Sequence, residues 1–225
     1  MRTALHPTIH GRCEGKLSIR AVIFDYGMVL TCPPDPEAHR ALVRITEIPA
    51  DRLDRLYWAD RPAFDSGILT GREYWRKIAF EAGLNLAETV IDELVEWDAR
   101  MWMTKNRAML DWQLRLKQRG VRTSIVSNMG DTVHQAMERE LEWLSRFDVL
   151  VWSYQLGVSK PDPAIYRYAL EKLGVPAAET LFIDDKQPNV DAAIEVGMKG
   201  VVFTDVQDLR ASLAESGVLA GLPLP

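Results

Sequence analysis

Four polar landmarks each follow a short apolar run. Asp25 follows VIF, Ser127 and Asn128 follow SIV, Lys160 sits in the loop QLGVSKPDP, and Asp184 and Asp185 follow LFI. Singly, each has an ordinary explanation. An Asp at a strand end often forms a turn or caps a helix, and Ser-Asn is good turn chemistry. A loop lysine is commonly solvated, and an Asp-Asp pair can simply open the next helix. Together they form a coherent set. Three carboxylates facing one cavity repel each other and need a cation. Hard oxygen ligands, few in number, suit Mg²⁺ bridging to a phosphate. Ser127 and Asn128 can donate to phosphate oxygens, and Lys160 can neutralise phosphate and nucleophile. A carboxylate fixed at a strand end can attack phosphorus and form an aspartyl phosphate.

That chemistry needs elements that bring the four points together. Runs rich in β-branched residues recur at 19–24, 121–126, 148–152, 180–183 and 200–204, and they read as buried strands. Amphipathic stretches at 107–120, 132–144, 163–174 and 189–197 lie between them, several ending on Gly. Such alternation predicts βαβ units and an α/β fold with a mostly parallel sheet covered on both faces. Ligands of open parallel sheets bind outside the carboxyl ends of the strands, where the four landmarks fall. Residues 35–106 break the alternation. They carry helical patterns only, over a length too great for a crossover or a loop. The chain therefore divides into a core of 19–32 and 107–216, a helical insertion of 33–106 and a loose tail of 1–18.

VIFDYGMVL, SIVSN, GVSKPDPAIY and LFIDD, in that order, resemble the four motifs of the haloacid dehalogenase-like (HAD) hydrolase superfamily. The resemblance spans residues 19–204, and Lys-Pro-Asp-Pro with Ile-Tyr is its most specific piece. It implies a Rossmann-like sheet of order 3-2-1-4-5 with a helical cap after the first strand. It implies Asp25 as nucleophile and metal ligand, the Gly27 carbonyl as a further ligand, and Ser127 on the phosphoryl group. Lys160 would steady that group, and Asp184 and Asp185 would hold Mg²⁺. The segment GILTGREYWRKI is similar to the cap of small sugar-phosphate phosphatases in this superfamily.

One departure stands out. Most phosphatases of the superfamily place a second Asp two residues after the nucleophile as general acid. This chain has Gly27 there. General acid catalysis is worth about 10²–10⁴-fold, so either turnover is slow, or another group supplies the proton, or the leaving group needs little protonation. The expected preference is for good leaving groups, such as an anomeric sugar phosphate. The reading is a Mg²⁺-dependent phosphomonoesterase acting on a small phosphorylated metabolite. A metal-free 2-haloacid dehalogenase would use the same Asp on carbon but has no use for the acid pair. A non-catalytic binding homologue is the third alternative. A signalling receiver domain fails on motif order, because its acid pair precedes the acceptor Asp.

The bulk properties agree. The chain has 225 residues, 47% hydrophobic and 26% charged, with a net charge of −5. These values fit a globular protein and argue against nucleic acid or an anionic membrane as partner. No stretch reaches the roughly 18 apolar residues of a membrane helix, and residues 1–18 lack the apolar core of a secretory signal. A cytoplasmic protein is expected, with Cys13 and Cys32 as free thiols. A homodimer through the cap is left open by its composition. Trp58, Trp75, Trp97 and Trp102 are expected to pack the cap's own core, with one or two lining a pocket. His6, His10, His39 and His134 form no metal spacing, and His39 reads as a solvated helix position. Gly71 to Tyr74 read as the first turn of a helix. Arg61 and Arg72 have no assigned role.

Overall fold

The structure, a computed structural model, describes residues 19–140, 142–215 and 222–225. The tail 1–18, with His6, His10 and Cys13, lies outside the described residues. Five parallel strands form the sheet: β1 (Ala21–Phe24), β2 (Arg122–Ser127), β3 (Val149–Trp152), β4 (Thr180–Asp184) and β5 (Lys199–Val202). Their order is β3-β2-β1-β4-β5, the 3-2-1-4-5 order that the resemblance implied. The helices run in chain order. α1 (Pro36–Thr46), α2 (Ala50–Ala59), α3 (Arg61–Asp65), α4 (Gly71–Ala82) and α5 (Glu88–Met101) follow β1. α6 (Arg107–Gln118) leads into β2, and α7 (Asp131–Glu140) leads away from it. α8 (Ser153–Leu156) and α9 (Pro163–Leu173) precede β4, α10 (Gln187–Glu195) precedes β5, and α11 (Val206–Glu215) follows it.

β1 is wholly buried, so its residues divide between two cores. Val22 and Phe24 join one apolar cluster, and Ala21 and Ile23 join the other, as the two-residue repeat of a strand requires. Phe24 meets Trp112 of α6 edge to face at 5.6 Å, and on the opposite face Tyr166 of α9 meets Phe182 at 5.2 Å. The sequence placed each strand within two residues. The helix expected over 132–144 is shorter: Glu142–Arg146 form a separate 3₁₀ turn. That turn stacks Trp143 on Tyr26, at 6.4 Å.

Helices α1 to α5 bury a third apolar cluster of their own, including Leu42, Leu53, Phe64, Tyr74, Trp75 and Leu94. α4 opens with a reciprocal cap, in which Glu73 accepts from Thr70 N–H and Thr70 accepts from Glu73 N–H. It ends on Gly83 at φ 80°, the left-handed stop that glycine takes at least cost. The two connections to the sheet lie side by side. Cys32 N–H donates to Thr104 O at 2.8 Å, and Asn106 N–H donates to Leu30 O at 2.9 Å.

Candidate active site

Asp25 leaves β1 with its N–H still in the sheet, donating to Ile183 O at 2.8 Å. Its carboxylate is 8% exposed and accepts from Tyr26 N–H at 2.7 Å. The chain then makes a tight turn over Tyr26–Leu30, in which Met28 has φ 62°. A side chain other than glycine in that left-handed region is strained, and such strain collects at functional sites. Thr31 steadies the turn: its Oγ1 accepts from Met28 N–H at 3.2 Å. Gly27 is different. Its φ of −63° and ψ of 137° suit any residue, and a Cβ there would meet only the Trp102 ring, at 3.9 Å. The backbone does not require glycine at this position.

Lys160 is the hub. Its ammonium donates to Asp25 at 2.7 Å and to Asp184 at 2.6 Å. Asn128 fixes the lysine's main chain: its Oδ1 accepts from Lys160 N–H, and its Nδ2 donates to Lys160 O, both at 2.8 Å. One Nδ2 proton is thus held by the lysine backbone, while Asn128 lines the cavity with its second donor still available to a phosphate oxygen. Asp184 is fully buried, and its second oxygen accepts from Lys186 N–H and from Asn189 Nδ2, both at 2.9 Å. Ser127, at the end of β2, is buried and lines the cavity in front of Asp25.

Asp25, Asp184 and Asp185 each bring a carboxylate oxygen within 4.8 Å of the others. Burial pushes the Asp25 carboxyl up to about 7, the Lys160 ammonium opposing and Asp184 adding to the rise. Burial also raises Asp185, with Asp184 reinforcing it. Burial would lower Lys160, but Asp25 and Asp184 outweigh it and hold the ammonium above its usual range. Burial is the largest cause of all three shifts, and the charges of the cluster add to it or oppose it. Three carboxylates face the ammonium of Lys160, with Lys186 beside Asp185, and the excess of negative charge is one that a divalent cation would match.

The cavity above these groups measures about 330 Å³, and its far wall comes from the helical segment: Trp58, Arg61, Asp65 and Trp102. Arg61 is 8% exposed. It donates to Asp65 at 2.9 Å and to the Tyr57 hydroxyl, and it lies 3.7 Å from Asp98. Its guanidinium stands over the Tyr57, Phe64 and Trp102 rings at 5.1, 5.2 and 5.5 Å. Asp98 accepts from Tyr57 Oη at 2.7 Å and from Trp75 Nε1 at 3.3 Å.

The candidates of the sequence therefore separate. Asp25, Gly27, Ser127, Asn128, Lys160 and Asp185 line one cavity, with Asp184 behind Lys160. Arg61 joins them, whereas Arg72 pairs with Glu88 and Asp92 on the surface. Trp75 is buried in the third cluster and Trp97 packs on it. Trp58 and Trp102 face the cavity. His39 pairs with Asp54 at 2.8 Å, and His134 is buried beside Trp152 and Tyr154. Asn189 was missed because its helix was expected to begin there. α10 begins at Gln187, so Asn189 lies in its first turn and reaches back to Asp184.

Known proteins are similar to this chain in sequence or in fold. The family described as haloacid dehalogenase-like hydrolase matches residues 19–197. Bifunctional epoxide hydrolase 2 of Mus musculus is 28% identical over 93% of this chain. The chain spans only 40% of that relative's length. Phosphatase MT3486 of Mycobacterium tuberculosis is 29% identical over 92% of this chain and 94% of its own. A HAD family enzyme of Bacteroides thetaiotaomicron, solved with magnesium and inorganic phosphate, superposes with a TM-score of 0.68. It is 21% identical and covers 83% of this chain and 95% of its own. An L-2-haloacid dehalogenase of Xanthobacter autotrophicus shares the fold too, at TM-score 0.64 and 20% identity, covering 91% of this chain and 84% of its own.

Proposed function

This chain belongs to the haloacid dehalogenase-like hydrolases, and from that premise we propose that it is a Mg²⁺-dependent phosphomonoester hydrolase for a small substrate. The observation that carries the reading is the charge pattern: Lys160 bridging Asp25 and Asp184, with Asp185 beside them and carboxylates in excess. A dehalogenase acting on carbon without metal has no need of that surplus. The phosphatase relative from Mycobacterium tuberculosis, matched over nearly its whole length, supports the same side.

In this mechanism an Asp25 oxygen attacks phosphorus as the bond to the leaving oxygen breaks, giving an aspartyl phosphate. Water then attacks that phosphorus, inorganic phosphate departs and the Asp25 carboxylate is restored. Ser127 and Lys160 hold the phosphoryl oxygens, and Asn128 positions Lys160 through its backbone. Asp25, Asp185 and the Gly27 carbonyl would hold Mg²⁺, with Asp184 close by. The ion, when bound, lowers the repulsion between carboxylate and phosphate. Helices α1 to α5 act as the cap that shapes the leaving-group side. Among the described residues no helix is long and apolar enough to cross a membrane.

The test is hydrolysis of p-nitrophenyl phosphate and acetyl phosphate with Mg²⁺, with EDTA, and by Asp25→Asn. Turnover should vanish with chelator and fall at least about a thousandfold in the variant. Chloroacetate turnover in EDTA without phosphate ester hydrolysis would instead establish the dehalogenase.

A further inference from the structure

The leaving-group side of the cavity has a definite chemical character. Trp58 is 52% exposed although it stands in the wall of the cavity. It meets Trp102 edge to face, with 6.4 Å between ring centroids and 82° between planes. Both indoles, with Pro34, also line an adjoining cavity of about 490 Å³ whose walls combine Leu42, Leu53 and Met101 with His39, Arg40 and Asp54. A ring left half in water at the mouth of such a space is apolar surface that a ligand can cover.

Charge narrows the ligand further. Arg61 is the cation of this wall, and Asp65 and Asp98 already face it. It therefore offers no unmatched charge to a second anionic group beside the two indoles; the charged residues of the adjoining cavity are Arg40, His39 and Asp54. The missing acid narrows it again. Gly27 has no proton to give, and the Trp102 ring stands 3.9 Å from where its Cβ would be. A phenol ionises near 10, as the tyrosine side chain does, whereas an aliphatic alcohol resembles water at about 16. A phenolate can depart without a proton donor.

We propose that the substrate is an aryl phosphate whose aromatic ring sits against Trp58 and Trp102; this rests on the phosphatase reading above. As the Asp25–phosphorus bond forms, the bond from phosphorus to the aryl oxygen breaks. The phenolate carries off the electron pair and takes its proton from water.

The test compares kcat/KM for phenyl, 2-naphthyl and cyclohexyl phosphates and glucose 1-phosphate, with Mg²⁺ present. Acetyl phosphate, a good leaving group with no ring, reports the underlying chemistry. Phenyl phosphate should exceed cyclohexyl phosphate and glucose 1-phosphate by at least about a hundredfold. 2-Naphthyl phosphate should exceed phenyl phosphate by about tenfold, because the two phenols are similarly acidic and only the larger fills the second cavity. Trp58→Ala should bring the naphthyl-to-phenyl ratio close to one, and Trp58→Phe should keep most of it. The exposed position lets both variants fold, which their thermal unfolding checks. Acetyl phosphate cleaved while glucose 1-phosphate matches phenyl phosphate, or a ratio indifferent to Trp58→Ala, would overturn the aryl proposal alone. No cleavage of acetyl phosphate would overturn the phosphatase reading and this proposal with it.

Discussion

Gly27 marks where residue chemistry and backbone part company. Its φ and ψ admit any side chain, and the space at its Cβ ends in ordinary contact with Trp102. Neither the backbone nor the nearest neighbour therefore excludes a Cβ at this position. Gly27→Asp should then raise hydrolysis of a cyclohexyl or other alkyl phosphate by about ten- to a hundredfold, within the usual worth of a general acid. It should also flatten the dependence of kcat on leaving-group acidity. An unchanged alkyl phosphate rate in a folded variant would refute this. Asn128 carries a second lesson. The sequence located it beside Ser127 and pointed its amide at phosphate, because adjacency is all that a motif displays. The structure commits both ends of the amide to Lys160's main chain, across 32 residues of sequence that no local pattern joins. Asn128→Ala should leave a buried N–H and C=O without those partners, at about 1–3 kcal/mol. It should lower kcat more than it raises KM, since Lys160 loses its placement.

At the scale of elements, the strands were legible because a strand covered on both faces must be continuously apolar. Their partners and order were not written in those runs; the order came from the resemblance of the motifs. The start of α4 was legible as a first turn after Gly71, although its reciprocal cap by Thr70 and Glu73 was not read from the sequence. The start of α10 was placed two residues late, and that small error hid Asn189. The seating of the helical segment on the sheet was not legible at all, because it depends on close approaches between distant residues. Gly130, in the loop after β2, shows the reason. A Cβ there would collide with the Phe64 ring of α3, which is fully buried and stacked on Tyr74 at 4.8 Å. Gly130→Ala should therefore force Phe64 away, and overpacking of this kind costs about 1–3 kcal/mol. For a chain of this size that lowers the melting temperature by about 3–10 °C. Differential scanning calorimetry checks it, and a melting temperature equal to the parent's would mean that the interface yields freely. Catalysis should suffer too, because α3 carries Arg61 and Asp65 into the cavity wall.

The whole molecule carries the cost of the site in its stability. Asp25 titrates at about 7 in the folded protein against 3.8 without the fold. Between those values the native state binds more protons than the unfolded chain. The contribution of Asp25 to the stability of the metal-free protein therefore falls as pH rises through that window, and above about 7 its whole penalty is present. A bound cation acts in the opposite direction. It requires the deprotonated carboxylate, so proton and Mg²⁺ compete for Asp25 and the ion binds better as pH rises. At a Mg²⁺ concentration a hundred times its dissociation constant the gain is about 2.7 kcal/mol, or about 5–10 °C in melting temperature at this size. The shift produced by a fixed Mg²⁺ concentration should accordingly be clearly larger at pH 8 than at pH 6. In Asp25→Asn, which cannot titrate there, the metal-free protein should lose the share of any decline in stability between pH 5 and 7 that Asp25 supplies, while Asp185 keeps its own. Melting curves across that range, with and without Mg²⁺, decide the matter. Equal Mg²⁺ shifts at the two pH values would mean that Asp25 does not face the ion, and the surplus charge around Lys160 would then need another partner.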